Sequence, residues 1–397
     1  DTSTPGTTPA LALWMVAADG RGRHKIQDLL PARPVDTAPG GADQDLLQAL
    51  TTMQEPTWSP DGNRVAFVSA HEDEVDLYTA TRDGQVTRLT QTDSLKKSPR
   101  WSLDGRFVAC MTTSGFGTGA GWDSAGVIVA PADGSAAAQD YGDLKLPGGQ
   151  PATLLADLIW TGPDTLVSGL EAVVPGGVEI AALTASSGTW TPILSVAAGG
   201  EAGLWWSAAD GTLAIAVTPG NGDGTPAPAD AGLYTWKPGT ARAIQVTGAT
   251  VGPIALSPQQ TMDPVGPVAW RPQGGLLAYN IQEGGAQLGV HLWPASGKPG
   301  GPAISSGSVD DVVWAPDGQR LAANGDIYQP DGHKVETLPG ANALLGWAAQ
   351  GIFFTTPENG SGGNDTSKLW IWKAGAAQAI DAGLAGSVWG KVVVPQP

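Results

Sequence analysis

Apolar and polar residues alternate in short bursts along this chain, each introduced by a tryptophan and a polar turn that carries glycine. Trp58–Ser69 read WSPDGNRVAFVS, Trp101–Thr112 WSLDGRFVACMT, Trp270–Asn280 WRPQGGLLAYN and Trp314–Ala323 WAPDGQRLAA. A period of two predicts strands, and self-similarity at about 40–50 residues predicts a repeat architecture. Weaker copies in the same register begin at Trp160, Trp206, Trp347 and Trp389, so successive anchors lie 43, 59, 46, 64, 44, 33 and 42 residues apart.

Four short strands fit each interval. Strand a ends at the Trp and strand b is the alternating run after the turn. Strand c recurs as 75–84, 126–134, 178–188, 232–239, 288–297, 325–332 and 368–375, each closing on an Asp-Gly, Pro-Gly, Ser-Gly or similar signal for a hairpin to strand d. The chain ends supply the rest. LALWMVAADG (11–20) reads as a strand c with the start of strand d at 23–26, and Trp389 with 391–394 reads as strands a and b. The expected fold is therefore an all-β single β-propeller of four-stranded blades, with 1–10 as a linker and 11–397 as the propeller. Residues 385–397 and 11–30 share one blade, closing the ring and leaving no open sheet edge. Eight blades is the first reading. Seven follows if the short 314–346 unit or the weak Trp160 unit is not a blade. Residues 31–55 lie outside the pattern, and DQDLLQAL within them suits one or two helical turns on the rim.

The residue types explain themselves physically. One Trp per repeat buries a large ring between neighbouring sheets. Asp-Gly gives the turn a side-chain acceptor and a residue free to take positive φ.

Composition narrows the function. The chain has 397 residues with 56 Gly, 32 Pro and only 15% charged residues, the profile of short strands and many turns. Its net charge of −17 disfavours nucleic acid and anionic membrane surfaces, which need clustered Lys and Arg. Cys110 is the sole cysteine, in an apolar alternating run, and reads as a buried structural thiol. No segment reaches the ~18–20 apolar residues of a membrane span. The Thr/Pro/Gly-rich start, DTSTPGTTPALA, suits a linker left after export, so an extracytoplasmic location is expected, in the periplasm or at the cell surface. Asn359-Gly-Ser and Asn364-Asp-Thr would then be glycosylation acceptors.

The WSPDG-type strings resemble the repeats of TolB-like propellers, a bacterial family often found outside the cytoplasm. The resemblance covers about residues 56–390. It departs from TolB itself, since the N-terminal α/β domain is missing and the repeats outnumber six. What the resemblance implies is the fold and a general habit of binding protein on one face.

Chemistry is sparse. No G-x-S-x-G elbow, phosphate loop, redox pair or dinucleotide fingerprint occurs. His71 opens an acidic stretch, HEDEVD, best read as a solvated loop. The loop at 219–230 offers Asn221, Asp223 and Asp230 as Ca²⁺ ligands, without the spacing of an EF-hand. Otherwise no cofactor is expected. Three b–c loops are long: 112–125, 218–231 and 355–368. In a propeller these loops share one face, and binding residues favour loops on a rigid scaffold. Phe116, Trp122 and Asp123, with Asn359 and Asn364, are the candidates for contact with a partner, another protein or copies of this chain. The first reading of function is thus a non-enzymatic scaffold or surface-assembly subunit. The second is a propeller enzyme or small-molecule binder of the hydrolase or lactonase kind. Its site would use inner-strand residues such as Arg100, Asp157, Asp310 and Asp311 around a central channel.

Overall fold

The computed structural model describes residues 11–379 apart from 37–40, 51–55, 114–123, 173–177, 220–231, 252–267, 296–302, 306–311, 359–365 and shorter stretches of one to three residues. The chain divides into two compact units. The first is built chiefly from residues up to Val174 with Ala182–Thr191, the second from Pro175–Ala181 and Pro192–Val394.

In the first unit, β1 (Ala12–Met15) and β2 (His24–Asp28) form a two-stranded antiparallel sheet. The first full repeat is β3 (Thr57–Trp58), β4 (Arg64–His71), β5 (Glu74–Thr81) and β6 (Val86–Arg88). The second is β7 (Leu95–Trp101), β8 (Phe107–Thr113), β9 (Ser124–Pro131) and β10 (Gln139–Tyr141). Within each repeat neighbouring strands pair antiparallel. A single parallel bridge, Val75 to Leu95, joins the two into one eight-stranded sheet. Next, β11 (Ala152–Leu154) and β12 (Ile159–Gly162) both pair with β13 (Thr165–Ala172). The unit boundary falls within β14 (Val178–Thr184) and β15 (Thr189–Val196).

The second unit repeats the same plan. It holds β16 (Gly200–Ser207), β17 (Thr212–Pro219), β18 (Gly232–Trp236) and β19 (Ile244–Thr247), then β20 (Thr250–Val251), β21 (Val268–Trp270), β22 (Leu276–Glu283) and β23 (Ala286–Pro294). After these come β24 (Val312–Trp314), β25 (Leu321–Ala323), β26 (Asp326–Tyr328) and β27 (Lys334–Thr337), and finally β28 (Ala343–Ala348), β29 (Gly351–Glu358), β30 (Thr366–Lys373) and β31 (Ala376–Ala379). Each group is one four-stranded antiparallel sheet. The fold is all-β and of the β-propeller class. The expected strands a to d appear in the expected places, and β1 and β2 are the strands read from 11–26. The expected partner strands at 389–394 lie outside the described residues, as do 1–10.

Strand b is buried on both faces, as a strand sandwiched between two neighbours must be. Val65, Ala66, Phe67 and Val68 of β4 are all buried, as are Leu213 to Val217 of β17. The turn before it is built by its own side chains. Ser59 Oγ donates to Asp61 Oδ1 at 2.6 Å and the Asn63 amide follows at 3.1 Å; Ser102 and Arg106 repeat this on Asp104 at 2.8 and 3.1 Å. Gly62 and Gly105 sit at φ 66° and 69°, a backbone region that costs a side chain about 1 kcal/mol or more.

The tryptophans do more than fill space. Trp101 Nε1 donates to Thr57 O at 2.8 Å, and Trp160 Nε1 to Arg100 O at 3.2 Å. In the second unit Trp270 donates to Trp205 O at 2.9 Å and Trp314 to Ala269 O at 3.0 Å. Each acceptor is the residue just before the preceding repeat's anchor. One indole therefore fixes the spacing of two repeats by both area and hydrogen bond. The residue that opens or adjoins strand b covers the ring of the next repeat. Arg64 lies over Trp101 and Arg320 over Trp347, each 5.4 Å from the ring centre, while Phe107 stacks on Trp160 at 6.5 Å.

The helical reading of DQDLLQAL is met at Leu46, Leu47 and Leu50. Leu46 and Leu50 do not decorate a rim, however. They pack with Leu29, Phe67 and Leu77 in the core of the first unit.

Candidate functional site

Every side chain singled out in the variable loops falls outside the described residues: Phe116, Trp122, Asp123, Asn359 and Asn364, and the Ca²⁺ candidates Asn221, Asp223 and Asp230. So do Asp157, Asp310 and Asp311. Among the described residues, no group of three or more His, Cys, Asp or Glu stands ready to hold a metal ion.

Arg100 is described, and it leads to the densest buried charge in the first unit. It belongs to β7, whose seven residues, LKKSPRW, are all buried. Lys96 and Lys97 show no exposure at all and Arg100 only 6%. A strand that should be apolar is instead cationic. Its backbone is irregular at the same place: the register against β8 shifts between Lys97 and Arg100, and Ser98 sits at φ 52°. A bulge of this kind re-aims side chains, and it permits Pro99 in a strand where a regular ladder would not.

Opposite stands Asp76 of β5, also fully buried. Lys96 Nζ lies 3.1 Å from Asp76 Oδ1, and Thr90 Oγ1 donates to the same oxygen at 2.7 Å. Arg88 donates to Asp76 Oδ2 through Nε at 2.8 Å and through Nη2. Lys96 Nζ also donates to Thr92 O at 2.7 Å and Ser94 O at 2.6 Å, so its charge is fully solvated by the protein. Strands c and d of one repeat and strand a of the next are thus tied through one carboxylate. Asp76 is the last residue of HEDEVD. The solvated-loop reading of that stretch is corrected here, because β5 starts at Glu74 and carries Asp76 inward. The run Lys-Lys-Ser-Pro-Arg before an anchor Trp was the available signal. Adjacent cations on a strand point to opposite faces, so in a strand buried on both faces at least one needs an acid partner.

This arrangement holds negative charge; it does not prepare a nucleophile. The only thiol is silent. Cys110 is wholly buried, and loss of solvation pushes its pKa up to about 12. His24 is occupied by the carbonyl oxygens of Gly22 at 2.9 Å and Arg82 at 3.1 Å.

No family of known proteins and no curated protein matches the chain. Solved structures do. A chain from a study of two prolyl endopeptidases, concerned with inter-domain dynamics in catalysis and specificity, matches at TM-score 0.52 and 15% identity, over 83% of this chain and 49% of its own. The dipeptidyl peptidase 4 of Porphyromonas gingivalis matches at TM-score 0.49 and 13% identity, over 80% of this chain and 50% of its own. An oligogalacturonate lyase in complex with manganese matches at TM-score 0.47 and 12% identity, over 76% of this chain and 85% of its own. At such identities the fold is what is shared, and this chain spans about half the length of the prolyl endopeptidase it matches. That solved chain is an enzyme. The expectation of a non-enzymatic scaffold acting through its b–c loops is overturned by this match.

Proposed function

We propose that this chain is the propeller of a peptidase-type hydrolase, the part that admits and holds a peptide while bond cleavage is carried by other residues of the enzyme. The observation that carries the reading is the fold shared over 83% of this chain with half of a prolyl endopeptidase. The site supports the same division of labour. None of these groups prepares a nucleophile: Lys96 and Arg88 are committed to Asp76, the Cys110 thiol is raised far above neutral pH, and the sequence lacks a nucleophile elbow. The kinship of the four strong repeats with TolB-like propellers belongs to this proposal too, as a statement about scaffold rather than substrate.

The test uses an uncharged, blocked peptide, acetyl-Gly-Pro-Phe-Gly-amide, with calorimetry for binding and mass spectrometry for cleavage. Saturable binding without cleavage by the chain alone is the expected result. No heat of binding at millimolar peptide, with no cleavage either, overturns the proposal.

A further inference from the structure

Adjacent repeats meet at their a–b turns, and the second unit shows how such a seam is normally closed. Asp210, in the turn after Trp206, reaches into the next repeat and accepts from Gly275 N at 2.9 Å. Gln273, in that repeat's turn, donates onward to Pro316 O at 2.5 Å. The seam between the first two repeats is built differently. Asp61 and Asp104 fold back onto their own turns, as described above. Arg106 is held by Asp104 at 2.6 Å. Between the turns a cavity of about 570 Å³ opens, lined by Pro60, Leu103, Phe107 and Pro131 on its apolar side and by Asp61, Asp104, Asp133, Arg64 and Arg106 on its polar side.

Three features make it a shaped site rather than a packing gap. Leu103 stands where three of the other strong repeats carry Pro, and it is 42% exposed, an apolar side chain offered to the opening. Both guanidinium groups are already engaged: Arg64 donates to Ala132 O at 3.0 Å and covers Trp101, and Arg106 pairs with Asp104 and covers Phe107. The carboxylates outnumber them and stay ionised. The Ser59 hydroxyl and the Asn63 amide hold Asp61 below the usual carboxylate range, and Ser135 does the same for Asp133. For Asp104 burial pulls upward, but hydrogen bonds from Arg106 and Ser102 outweigh it.

We infer that this seam binds a short basic peptide segment, a Lys or Arg side chain set against the carboxylates with an apolar neighbour on Leu103 and the prolines. A cavity of a few hundred Å³ with an apolar wall and a few placed charges is the usual form of such a site. The inference goes beyond the proposed function, because capture here depends on charge that the blocked neutral peptide lacks.

The experiment measures fluorescence anisotropy with fluorescein-labelled Gly-Arg-Pro-Leu-Gly and with its Glu counterpart at low salt. The protein is used as wild type, Asp133→Lys and Asp331→Lys. Asp331 caps a c–d turn in the second unit as Asp133 does here, accepting from His333 N at 2.9 Å where Asp133 accepts from Ser135 N at 3.0 Å. The second variant therefore repeats the local loss at a residue that does not line the cavity. Expected are binding of the Arg peptide only, a loss of at least about tenfold in Asp133→Lys, and wild-type affinity in Asp331→Lys. Failure of the wild type to bind, equal binding of the Glu peptide, or equal losses in both variants overturns the inference.

Discussion

Replacing Trp314 by Phe separates the two jobs of an anchor tryptophan. The ring is 4% exposed and its Nε1 donates to Ala269 O at 3.0 Å. Phenylalanine keeps most of the apolar area against Val312, Leu321 and Tyr328, the neighbours in its cluster. It removes the donor, leaving a buried carbonyl short of a partner, which costs about 1–3 kcal/mol. The smaller ring adds a cavity contribution of about 1 kcal/mol. The expected loss is therefore about 2–4 kcal/mol. The same change at Trp270, half-buried with an equivalent bond to Trp205 O at 2.9 Å, should cost about half as much because water reaches the vacated acceptor. At Trp14, 41% exposed, it should cost under about 0.5 kcal/mol. Urea unfolding reads all three as shifts of midpoint at unchanged slope. If Trp314→Phe costs no more than Trp14→Phe, the indole bond does not fix the repeats and the argument fails.

Two further changes probe the charges. Asp76→Asn leaves Lys96 buried beside a neutral amide and should destabilise by about 3–5 kcal/mol, whereas Asp76→Leu combined with Lys96→Met should recover much of that; a double variant as unstable as the single one contradicts this account. Asp43 accepts a two-pronged bond from Arg33 at 2.8 and 2.9 Å and another from the Asp36 amide, and these hold its pKa down to about 2. A depressed folded-state pKa stabilises above the ordinary carboxylate value near 4 and is lost as pH falls toward 2. Asp43→Asn should flatten the acid limb of the stability profile in that window, and an unchanged limb would remove Asp43 from the cause.

Much of this molecule is written locally. The apolar run after each Trp-turn signal is enough to place β4, β8, β22 and β25, because a strand packed on both faces needs apolar residues at successive positions. The Ser-x-Asp-Gly turns are equally local, since donor and acceptor sit two residues apart. Even the tryptophan spacing predicts a ring between sheets. What the pattern could not show is that the indoles of Trp101, Trp160, Trp270 and Trp314 also bond to a carbonyl some 44 to 65 residues earlier, because the acceptor is backbone and carries no residue type.

Residue order alone dictates the strands, the turns and the inertness of Cys110, which follow from neighbours within a few positions, and the repeat length, which follows from the spacing of the tryptophans. Burial of Asp76 was settled only when β5, β6 and β7 came together, for a charged residue is read as solvated until its partners, 12 and 20 positions away, are brought within 3.1 Å. The open seam beside Leu103 was likewise invisible, since a cavity belongs to the spacing of two turns and to neither turn alone.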